Sequence, residues 1–162
     1  MSWTARQVWK SMSKPDRALA ANALLADPRL DRAARFEALA PWIATQRIRP
    51  SFLESLPKTR RAELIASSAL PEQTAAQALL SLHLVDRREM LKRFMDHMEI
   101  PHQDGLVNDE HELKVDLAKL PGAVAKLRSE FDPEAVVLYF RTLVASDPET
   151  WKPLIEEAAV SG

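Results

Sequence analysis

No cysteine occurs among the 162 residues, which removes disulfides, thiolate nucleophiles and cysteine-ligated zinc. That absence suits a reducing compartment. Glycine is nearly as scarce, with only Gly105, Gly122 and Gly162. Three isolated glycines exclude a phosphate-binding loop, a dinucleotide fingerprint and a nucleophile elbow, all of which need glycine where the backbone turns sharply or meets a ligand. No His-Glu-x-x-His run is present. Long apolar runs are missing as well. The opening MSWTARQVWKSMSK lacks the apolar core of a secretory signal, and the longest weakly charged stretch, residues 64–85, is broken by Pro71, Glu72, Gln73 and Gln77. The expectation is a cytoplasmic chain with no membrane partner.

What remains is ordinary globular material. The 46% hydrophobic and 28% charged fractions argue against disorder, and the length suffices for a core without staples. The net charge of −1 hides an asymmetry, because residues 1–65 hold 12 Lys+Arg against 6 Asp+Glu, and the remainder 10 against 17. Opposed halves either neutralise each other on packing or offer a basic and an acidic face to partners. The overall balance lends no support to strong nucleic-acid binding.

Eleven prolines do the punctuation. Ser13-Lys14-Pro15, Asp132-Pro133-Glu134 and Asp147-Pro148-Glu149 carry helix-start chemistry: a capping oxygen, a proline whose missing N–H the first turn does not use, and often an acid at the positive dipole end. The periodicity predicts helices over 4–12 and 14–26, the second with Leu19, Ala23 and Leu24 inward. A third, from about Leu30, has Phe36, Leu39, Ala40 and Ile43 as a core stripe, and Pro41 should kink or restart it. One turn is expected over 51–56, then a helix over 57–68 with Leu64 and Ile65 buried, and another over 70–84. Asp86 should cap a helix to Met98, with Leu91, Phe94, Met95 and Met98 on one face and Arg88, Lys92 and Asp96 opposite. Three further helices follow, anchored by Leu117 to Phe131, Val136 to Val144 and Trp151 to Ala158. The fold class is therefore all-α, an array of about eight or nine short helices with antiparallel neighbours, in a single domain over 1–162 whose first 13 residues read as a packing arm. The same reading allows one short β-hairpin near residues 105–115.

Three constellations bear on function. The first gathers Asp96, His97, Glu99, His102, Asp104, Asp109, Glu110, His111 and Glu112 around a break in the helical pattern. Imidazole and carboxylate suit zinc, manganese or iron, and His97, His102, Asp104 and His111 are the candidate ligands. The plainer reading is a cationic imidazole at a helix end and a solvated acidic loop. His83, on an apolar face, reads as a hydrogen-bonded core histidine.

The second constellation is two helices, 74–82 and 86–98, joined by a short connection. Arg87, Arg88, Lys92 and Arg93 are available for phosphates, and a hairpin is conceivable between 105–108 and 112–115. This layout resembles winged-helix proteins over about 45 residues. Six acids and one lysine over 99–116 oppose that reading, since such a wing repels DNA.

The third is an apolar protein-binding surface, with Met90, Phe94, Met95 and Met98 as an adaptable stripe and Trp3, Trp9, Trp42 and Trp151 as anchors if exposed. A stripe at helical spacing is more often core. On elimination, the sequence ranks a non-enzymatic protein-interaction or regulatory module first, binding another protein or a second copy of itself. A nucleic-acid-binding regulator and a small metal-dependent helical enzyme rank below it. No cofactor is expected.

Overall fold

Four of the described α-helices start on a side-chain cap. Thr4 and Gln7 form a reciprocal capping box, each side chain accepting from the other's backbone N–H. Ser13, Asp31 and Asp132 accept from backbone amides three residues on, and a proline stands in the first turn after Ser13 and Asp132. A computed structural model describes residues 3–107 and 115–159. Its ten α-helices among the described residues make the protein all-α. None is long and apolar enough to cross a membrane.

The chain divides into two compact units, one over Trp3–Asp86 and one from Arg87 onward. The N-terminal unit contains α1 (Ala5–Ser11), α2 (Lys14–Ala26), α3 (Arg32–Gln46), α4 (Pro50–Ser55), α5 (Lys58–Ala66) and α6 (Glu72–Ser81). Helix α6 runs on into a π-helical turn, Leu82–Asp86. The main packing joins helices distant in sequence: α2 lies against α5, α6 and the π turn, while α1 and α3 both meet α6. Alanine carries much of this contact, with Ala20, Ala21, Ala23, Ala62, Ala66, Ala75 and Ala78 buried. Small side chains leave little between neighbouring helix backbones, so these interfaces need few large residues.

Long polar side chains then finish the helix ends. Both Glu72 carboxylate oxygens accept from the first amides of α1, those of Ala5 and Arg6. Arg17 donates to the carbonyls of Trp9 and Lys10 at the far end of α1, and Arg35 to those of Leu24, Asp27 and Leu30 at and beyond the end of α2.

The second unit contains α7 (Arg88–His97), a 3₁₀ turn (Leu117–Lys119), α8 (Leu120–Glu130), α9 (Pro133–Ser146), a second 3₁₀ turn (Lys152–Leu154) and α10 (Ile155–Ala159). Here neighbours in sequence are neighbours in space, α7 with α8, α8 with α9 and α9 with α10. Phe94 stands among Tyr139, Phe140 and Trp151, with ring centroids 5.5–5.9 Å away. Burial pushes the Tyr139 phenol well above its usual range.

Several local expectations change. Pro41 does not restart α3, which runs unbroken through it. The buried residues flanking it, Ala38, Leu39, Trp42 and Ile43, hold the helix in place, and the Thr74 hydroxyl donates to the Ala38 carbonyl at 2.7 Å. Asp86 does not cap α7. It lies in the π turn, where the His83 Nδ1–H donates to the Leu79 carbonyl at 2.9 Å, and α7 starts with no side-chain cap. His83 is buried and hydrogen-bonded, as its apolar face suggested. Asp147 caps a turn before the second 3₁₀ segment, accepting from both the amide and the hydroxyl of Thr150, and these bonds hold its carboxyl below the usual range.

With so little glycine, left-handed positions fall to other residues. Arg47 (φ 56°) ends α3 and Glu99 (φ 54°) follows α7, each in a place where glycine is the usual occupant. Arg47 is exposed, so Arg47→Gly is expected to stabilise the chain by up to about 1 kcal/mol, net of glycine's greater freedom when unfolded. A urea titration that shows a loss of stability would contradict this.

Candidate binding groove

The described histidines of the cluster, and Asp96 and Asp104 with them, already have side-chain partners. His97 Nε2 meets Glu130 Oε1 at 2.5 Å, and Arg93 Nε approaches the other oxygen of Glu130 at 3.5 Å. His102 Nδ1 accepts the Gly105 amide at 2.9 Å, so its proton sits on Nε2 and is donated to Asp96 at 2.7 Å. Asp104 pairs with Arg88 at 2.7 Å and with Lys92 at 3.4 Å. Hydrogen bonds from Lys92 and Arg88 hold the Asp104 carboxyl below its usual range, and those from Lys92 to Glu89 and Asp104 raise the lysine. His111 lies outside the described residues. Among the described residues no three His, Cys, Asp or Glu side chains are grouped so as to hold a metal ion.

The cations proposed to meet phosphate have the same partners. Arg88, Lys92 and Arg93 each face a carboxylate, and Arg87 sits just before α7 at the unit boundary. The expected pairing of 105–108 with 112–115 falls mostly outside the described residues. What is described is a tighter turn, in which Gln103 and Leu106 form one antiparallel bridge around Asp104 (φ 53°) and Gly105 (φ 89°). Asp-Gly with both φ values positive is the two-residue hairpin chemistry, a signal readable in the sequence at Asp104-Gly105. The methionine stripe is core: Met90, Phe94, Met95 and Met98 are all buried, as are Trp9, Trp42 and Trp151, leaving Trp3 half-buried.

An apolar concavity does exist, on the N-terminal unit. Helices α3, α4 and α5 enclose an open groove of about 580 Å³. Leu39 and Ile43 of α3, Leu53 of α4 and Ile65 of α5 form its buried floor. Phe36 stands on its wall and is 49% exposed. One turn before Leu39, it had the spacing of a core residue, so periodicity alone hid it. The α3 face that packs inward is centred on Ala38 and Trp42 instead.

Three arginines and one acid edge the groove. Arg32 and Glu54, both well exposed, pair across its mouth at 3.1 Å, a contact of small energetic weight. Arg35 is committed to three backbone carbonyls, that of Leu24 in the last turn of α2 and those of Asp27 and Leu30 beyond it. Arg61 of α5 differs, because its Nε is enclosed without an acceptor among the described residues. The arrangement joins an apolar floor to surplus positive charge, with no nucleophile or acid–base pair within it.

Comparison of the whole chain with protein-family models, curated proteins and solved structures finds no match. The groove's meaning rests on its own chemistry.

Proposed function

We propose that this chain is a non-enzymatic helical interaction module that binds another protein through the α3–α5 groove, acting in the cytoplasm. The observation that carries the reading is Phe36, half in water beside a floor of Leu39, Ile43, Leu53 and Ile65. A lone exposed apolar residue needs no explanation, but one beside a sizeable apolar depression is what binding grooves look like. The pairing of Arg88, Lys92 and Arg93 with carboxylates favours this reading over phosphate contact. The lack of cysteine fits a reducing compartment.

The test combines affinity enrichment from the native organism with a photo-cross-linking residue at position 33 on the groove wall. Cross-linked protein should be identified, purified and titrated against the wild-type chain and Phe36→Ser. The expected result is a Kd raised by about tenfold or more in the variant, the loss of one aromatic anchor, with an unchanged melting temperature. A partner whose affinity ignores Phe36, or no cross-link from position 33, overturns the proposal.

A further inference from the structure

Resting on that reading, we infer that the groove takes an acidic amphipathic helix, with its apolar residues on Leu39, Ile43 and Leu53 and a carboxylate on Arg61. The shape comes first. The walls are helices, and among the described residues the only strand-like pairing is the isolated Gln103–Leu106 bridge in the other unit, so no sheet edge invites an extended peptide. A depression between helices takes an amphipathic helix through residues spaced three and four apart.

Charge then selects among such helices. Arg32, Arg35 and Arg61 against the single Glu54 leave the groove's edge with excess positive charge. The N-terminal unit as a whole has the same sign, with 12 Lys+Arg against 8 Asp+Glu over 3–86. Arg35 serves as a structural cap, and Arg32 already has Glu54. Arg61 has neither a cap to make nor an acid to meet among the described residues. Its half-buried position beside apolar side chains weakens competition from water, and a guanidinium fork matches a carboxylate in geometry as well as charge. An incoming acid also competes for Arg32, whose pair with Glu54 is exposed. A basic or uncharged helix gains none of this.

The experiment uses the full chain and a phage-displayed library of peptides about four helical turns long. Leu or Phe is fixed at spacings of three and four, and the other positions are randomised. Expected among the binders is enrichment of Asp and Glu over Asn and Gln, on one flank of the apolar stripe. For a selected peptide, Arg61→Gln should weaken binding by about tenfold or more with an unchanged melting temperature, and Arg61→Lys should restore part of it. The charge inference is overturned if acids are no commoner than amides, or if Arg61→Gln changes affinity less than about twofold. Neutral peptides that still depend on Phe36 leave the groove reading standing and sink only its acidic partner. If no binder depends on Phe36 and the native partner ignores Phe36→Ser, the groove itself is lost. Displacement of a bound peptide by an oligothymidylate in an Arg61-dependent manner would reassign the site to single-stranded nucleic acid, which also overturns the inference.

Discussion

Phe94→Ala is expected to destabilise the C-terminal unit by about 3–5 kcal/mol, the usual cost of removing a fully buried aromatic ring. Phe94 has no exposure and sits where three aromatic side chains meet. Its ring stands nearly edge-on to Tyr139, at 85° and 5.5 Å, an orientation that sets the positive ring edge against the negative face. Tilted contacts to Phe140 and Trp151 tie α7 both to α9 and to the turn before α10. Alanine leaves a void bordered by rigid rings, and rings close a void poorly. Phe94→Leu keeps most of the apolar burial and loses the ring contacts, so a cost of about 1–2 kcal/mol is expected. Trp151 is the only tryptophan in this unit, which makes it a local probe: in a background with Trp3, Trp9 and Trp42 replaced by Phe, its fluorescence reports unfolding here. A Phe94→Ala loss below about 1 kcal/mol would show that the ring cluster contributes little beyond its area.

That cluster was readable as a face but not as a centre. Leu91, Phe94, Met95 and Met98 share one side of α7 by spacing alone, and all four are buried. The partners of Phe94 lie some 45 residues and more further on, in α9 and at Trp151, and no local pattern points to them. Caps followed by a proline were legible, because their chemistry is complete within four residues: Ser13 and Asp132 behave as their neighbours dictate, whereas Asp86, with no proline after it, lies in the π turn. The orientation of helices in the N-terminal unit was the least legible. Leu19, Phe36 and Leu64 had core spacing yet are 36–49% exposed. Alanine explains the misreading. Where Ala20, Ala23, Ala62, Ala75 and Ala78 make the interfaces, the large aliphatic residues no longer mark the buried face, and a reading weighted by side-chain size rotates the helix. The α3–α5 groove was hidden for the same reason, since its exposed wall, Phe36, looked like core.

Asp27 is the second position of large expected effect, and pH separates its contribution from simple packing. Its carboxylate has no exposure and accepts four hydrogen bonds: from the Arg29 amide at 3.0 Å, Arg29 Nε at 3.1 Å, Arg29 Nη2 at 2.5 Å and the Ser81 hydroxyl at 2.7 Å. The last of these joins the turn after α2 to the end of α6. No local pattern points from Asp27 to Ser81, which is 54 residues away. Asp27→Asn replaces an anion with a group that carries two donors, one of which must face the guanidinium or the solvent-free interior. The expected cost at neutral pH is about 2–4 kcal/mol, slightly below that of breaking a fully buried pair because the Arg29 side chain keeps 29% of its exposure. Burial alone would raise the Asp27 carboxyl, but the hydrogen bonds from Arg29 and Ser81, with the charge of Arg29, outweigh it and hold the group below its usual value. The folded state therefore binds this proton less readily than the unfolded chain. Its stabilisation is complete above the unfolded value of about 4 and is lost as the pH falls through the lower folded value. Urea titrations of wild type and Asp27→Asn should differ most near pH 7 and converge below about pH 4. A gap that stays constant into acid would mean that shape, and not the charged form of Asp27, holds α2 to α6.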